Sequence, residues 1–144
     1  MQPFKKIILA FKFSSACRSA LEKAIQLSIS NDAELFIFHA SDYRLIGKRQ
    51  NDSDLIKLNR QMEQQFETEI KPLIEEFPKF KFGSSPSDPA LEICKIARQA
   101  RQIQADLILL GCHDEPEKPR LARLDYVGVT ILEKAPCPVM LVPP

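Results

Sequence analysis

Residues 105–111 read Ala105-Asp106-Leu107-Ile108-Leu109-Leu110-Gly111. Successive side chains of a strand point to opposite faces, so a strand with one face in water alternates apolar and polar residues. Leu107 to Leu110 do not alternate. A run that is apolar at every position suits a central strand covered on both faces, as in a parallel sheet with helices on either side.

The chain around this run fits such a sheet. Upstream, Pro89 starts a helix whose buried side is marked by Ala90, Ile93, Cys94, Ala97 and Ala100. Gly83-Ser84-Ser85-Pro86-Ser87 reads as a loop, and Phe80 to Phe82 as a short third strand. From Leu55 through Met62, Phe66 and Ile70 to Phe77, apolar residues recur every three or four positions. That spacing predicts a long amphipathic helix, capped by Asp52 or Ser53 and packed on the domain's own sheet. Pro72 lacks a backbone donor and is expected to kink its last turns. Lys5 to Phe11 and Glu34 to His39 are the first two strands. Between them Ser14 or Ser15 caps a helix that carries Cys17, Ala20, Leu21, Ala24 and Leu27 inward and ends near Asn31-Asp32. Downstream, Cys112 to Arg120 form a charged loop. A last helix then begins between Leu124 and Val127 and stops at Ala135-Pro136, and Pro138 to Val142 close the chain as a fifth strand. Strands alternating with helices predict one α/β domain over residues 1–144.

Composition narrows the functional classes. The 144 residues carry a formal net charge of +1, so no overall field draws the protein to nucleic acid or an anionic membrane. The apolar run after Lys5-Lys6 is too short for a signal peptide or a span, which predicts a cytoplasmic protein. Four cysteines lie scattered without a paired ligand spacing, and two histidines are too few to help them, so a zinc site is not expected. Cys17 and Cys94 fall on apolar helix faces and read as small buried hydrophobes.

Ligands of an open parallel sheet bind at the carboxyl ends of the strands, where the strand order changes direction. Here Lys12 to Ser15, Ala40 and Ser41, and Gly111 to Asp114 would wall that crevice. Ser14 and Ser15 have two readings, as anion contacts or as caps of their own helix. His113 stands two positions past the central strand, either as a phosphate donor or as a loop histidine bonded to backbone or water. His39, within an apolar run, reads as a structural histidine. No nucleophile-and-base constellation, GxGxxG or phosphate loop is present, and four glycines are too few for a glycine-rich cradle.

Several segments carry a family likeness. They are Lys5-Lys6-Ile7-Ile8-Leu9 before Phe13-Ser14, then Phe38-His39-Ala40, then Asp88-Pro89-Ala90-Leu91. The most specific are Ala105-Asp106-Leu107-Ile108-Leu109-Leu110-Gly111-Cys112-His113 and, further on, Ala135-Pro136-Cys137-Pro138-Val139-Met140-Leu141-Val142-Pro143. Together they resemble a universal stress protein from end to end. The resemblance implies a doubly wound five-stranded parallel sheet of order 3-2-1-4-5 with helices on both faces, of the adenine nucleotide alpha hydrolase-like kind. It also implies a homodimer joined through Val139 to Val142.

Nucleotide-binding members of that family carry an aspartate after the first strand and a GxxGx9G[ST] signature after the fourth. This sequence keeps Gly111 alone. Lys12 stands at the aspartate position, Asp114 at the second glycine, and Asp125-Tyr126 at the glycine-serine. Two carboxylates and a phenol ring work against a triphosphate by repulsion and by bulk. Lys12 could pair with Asp114 or Asp125 and close the crevice, or it could attract an anion there. The expectation is a homodimeric stress-response interaction protein with unknown protein partners and no catalytic residues, which needs no cofactor and does not bind ATP in the family's usual way. The alternative is a module in which Lys12, Ser14, His113 and Arg120 or Arg123 hold a nucleotide or another small anion.

Overall fold

The computed structural model describes residues 4–12, 15–39, 52–84, 93–94, 104–112, 117–119 and 126–144. Its strands are β1 (Lys6–Phe11), β2 (Glu34–His39), β3 (Phe80–Ser84), β4 (Leu107–Gly111) and β5 (Val139–Val142). They form one sheet of order β3-β2-β1-β4-β5, and every neighbouring pair is parallel. The implied order 3-2-1-4-5 is therefore present.

The helices are α1 (Ser15–Asn31), α2 (Asp52–Gln65), α3 (Lys71–Glu76) and α4 (Tyr126–Lys134), with a π-helical turn at Phe66–Ile70 joining α2 to α3. Right-handed crossovers dictate which face each covers. The steps β1 to β2 and β2 to β3 move one way along the sheet, so α1 and the α2–α3 unit share a face. There Ile7, Leu9, Leu35, Ile37 and Leu109 bury against Ala20, Ala24 and Ile70. The step from β3 to β4 reverses direction, so residues 93–94 and α4 lie on the other face. Ile93, Cys94, Val127 and Ile131 pack there with Ile8, Ala10 and Ile108. Leu107 to Leu110 are all buried, as the uniform apolar run requires. Each such Leu or Ile contributes about 1.5–3 kcal/mol by leaving water.

Local chemistry fixes the joints. Helix α1 ends in a Schellman turn, with Ala33 N donating to Ser28 O at 2.8 Å and Asp32 N to Ile29 O at 3.3 Å. Asp32 takes the left-handed position at φ 50°. Lys79 Nζ donates to Asp32 Oδ1 at 2.9 Å and to its carbonyl at 3.2 Å, tying this turn to the start of β3. At the amino end of the sheet, Asp106 Oδ2 accepts from Lys5 N at 2.7 Å and Lys6 N at 2.9 Å. Its own N–H donates to Lys6 O at 2.8 Å, so one aspartate aligns the starts of β1 and β4.

Two expectations need revision. Pro72 does not merely kink the last turns. The distortion lies just before it, where Lys71 N–H reaches back five residues to Phe66 O in a π-helical turn. A proline crowds the carbonyl four residues earlier, and a wider turn relieves that crowding. Gly83 and Ser84 are strand rather than loop, paired with Phe38 and His39.

Candidate functional site

The sheet reverses its order between β1 and β4, and the site is built from the carboxyl ends there. Register sets the row. Ser84 pairs with His39, His39 with Phe11, and Gly111 with Val142. Lys12 follows Phe11 directly and is half-buried, as is Gly111. Cys112 follows Gly111, is fully buried, and donates its N–H to Val142 O at 3.3 Å.

Lys12 and His39 are electrostatically joined. Burial, and then the positive charge of Lys12, hold the His39 imidazole below its ordinary 6.5. Both act against a second positive charge, so the described part of the rim pairs a lysine with a neutral imidazole. Reading His39 as structural from its place in an apolar run left out its position one strand away from Lys12. The usable signal was that it is the last residue of its strand, one step before the crevice.

Of the residues expected at the crevice, Lys12 and Gly111 stand at it. Tyr126 opens α4, as the expected start between Leu124 and Val127 allows. Ser14, Ala40, His113, Asp114 and Asp125 lie outside the described residues, as do Arg120 and Arg123. Among the described residues no cluster of three His, Cys, Asp or Glu side chains could hold a metal ion. No described helix is long and apolar enough to cross a membrane. A separate cleft of about 280 Å³ opens between α1 and the π-helical turn. Phe11, Leu21, Ile25 and Leu73 line it, and the Arg18–Glu69 ion pair, 3.3 Å between Nη2 and Oε1, spans it.

The sequence as a whole matches the description of the universal stress protein family over residues 3–143. The chain belongs to that family. Solved universal stress protein structures share its fold at low identity. The protein from Archaeoglobus fulgidus in complex with dAMP is 16% identical, covers 99% of each chain and has a TM-score of 0.56. The Arabidopsis thaliana protein At3g01520 with AMP bound is also 16% identical, covers 96% of this chain and 91% of its own, and has a TM-score of 0.60. The hypothetical protein MJ0577 is 25% identical, covers 99% of this chain and 97% of its own, and reaches a TM-score of 0.70. No curated protein matches the sequence.

Proposed function

We propose that this universal stress protein is a homodimeric, cytoplasmic stress-response factor that acts through protein contacts, catalyses no reaction and does not hold ATP in the manner of its nucleotide-binding relatives. The observation that carries this reading is Lys12. It stands at the carboxyl end of β1, close enough to His39 for its charge to depress the imidazole. The family's nucleotide binders place a carboxylate there, which accepts hydrogen bonds from ribose hydroxyls. An ammonium donates and cannot accept, so the residue present does not fit that role. Asp114, Asp125 and Tyr126, at the positions of the signature glycines and serine, support the same reading from the sequence.

The edge strand supports the dimer. Val139, Met140 and Leu141 are half-exposed, and on α4 Val129 is 42% and Leu132 36% exposed. β5 carries no charge or proline to discourage pairing, so a defined partner for its open edge is physically sensible.

The experiment is a thermal-shift titration with Mg-ATP, AMP and inorganic phosphate, alongside molar mass by light scattering. A ligand bound to the folded state alone at 100 times its Kd stabilises by about 2.7 kcal/mol, which a melt resolves readily. The expectation is a dimer whose Tm ATP leaves unchanged. A second reading, a small-anion module using Lys12, draws support from the dAMP and AMP in the two relatives. It predicts a Tm rise with AMP or phosphate that Lys12→Met removes.

A further inference from the structure

Two of the four cysteines belong to one apolar cluster on one face of the sheet. Cys94, 3% exposed, belongs to the cluster that holds Ile8, Ile93, Ile108 and Ile131, and Cys137 packs against that same cluster. Register places Cys137 independently. Val139 is paired with Ile108, so two residues earlier Cys137 comes beside Asp106, at the amino end of β4. Burial, the Cys94 sulfur and the Asp106 carboxylate all push the Cys137 thiol upward, which puts both groups within electrostatic reach of it.

The other two cysteines are excluded by topology. Cys17 lies in the cluster on the opposite face, with the sheet between. Cys112 follows the carboxyl end of β4, six residues from Asp106, about 20 Å away at strand rise. Cys137 is half-exposed, in the bend between α4 and β5, where an oxidant can reach it and the backbone is not held by a ladder.

We propose that Cys94 and Cys137 form a dithiol site that closes to an intramolecular disulfide by exchange with a low-molecular-weight disulfide. Cys137, as thiolate, attacks one sulfur of the small disulfide; its S–S bond breaks and one small thiolate leaves and takes up a proton. Cys94 then gives up its proton and attacks the Cys137 sulfur, forming the protein disulfide and releasing the second small thiol. Two protein thiols are oxidised and one small disulfide is reduced to two thiols. The raised thiol keeps thiolate scarce at neutral pH, so exchange at this site is slow there and speeds up as pH rises. Closure ties the crossover between β3 and β4 to the stem of the edge strand β5.

The test treats the full native chain with oxidised glutathione at about pH 9, where more of the thiol is ionised than at neutral pH, and reads intact mass and peptide maps. The expected product is a single chain lighter by two hydrogen atoms under denaturing conditions, with its Cys94 and Cys137 peptides linked and the change reversed by dithiothreitol. Cys94→Ala should stop at one glutathione on Cys137, and Cys137→Ala should take up none. Wild-type protein that stops at the mixed disulfide, a link through Cys17 or Cys112, or Cys137 joined only between two chains would each overturn the proposal. The wild-type measurement needs no variant to fold.

Discussion

The Phe36 ring tip, Cζ, lies 2.6 Å from the point that a β-carbon on Gly83 would occupy. Phe36 and Gly83 stand diagonally across the β2–β3 pair on one face, so the ring rests on bare backbone. No real β-carbon tolerates that separation. Gly83→Ala should therefore push the ring off the strand and cost about 1–3 kcal/mol, as overpacking does. In a double-mutant cycle by urea melts, Phe36→Leu should recover part of the loss. Additive effects would show that the two positions are not coupled.

Asp106 is the joint between β1 and β4, accepting from two successive backbone N–H groups with one oxygen. Asp106→Ala leaves both donors without this acceptor while keeping the fold's apolar layers. A loss of about 1–3 kcal/mol is expected. Amide exchange at Lys5 and Lys6 should speed up more than exchange at Leu109, and uniform acceleration would count against a local role.

Ser28 faces the sheet from α1 with its hydroxyl fully buried and without a hydrogen-bond partner. Its stripe otherwise carries Cys17, Ala20 and Ala24. Ser28→Ala removes an unsatisfied group without opening a large hole, and should leave stability unchanged or raise it by about 1 kcal/mol. A clear drop in Tm would mean that the hydroxyl has a partner after all.

His39 makes stability depend on pH. Its folded-state value is depressed, chiefly by burial and then by Lys12, so the unfolded chain binds the proton more readily. The contribution is therefore fully present above the ordinary 6.5 and is lost as pH falls through the lower folded-state value. Melts across this range should show an acid limb that His39→Gln flattens. Lys12→Met should flatten it in part, because burial still acts. An acid limb that neither substitution alters would assign the loss to other groups.

Much of this protein was legible in the order of its residues. The all-apolar run Leu107 to Leu110 marked a strand buried on both faces, and Glu34 to His39 emerged with the bounds that its pattern predicted. Burial leaves such marks because side-chain direction repeats with a fixed period along each element. The strand order is different in kind: family resemblance supplied it, and periodicity alone does not contain it. The spacing also gave no sign that Gly83 and Ser84 belong to a strand, since glycine and serine next to a proline-bearing stretch have the composition of a loop. Their strand state depends on β2 lying alongside.

What the sequence by itself determined was which segments must hide from water and on which sides, because that is a property of neighbours three, four or two residues apart. Only the tertiary structure decided that Asp106 holds β1, that Lys12 acts on His39, and that Cys137 shares an apolar cluster with Cys94. Each of these joins residues distant along the chain, and their energies exist only once the sheet has brought them together.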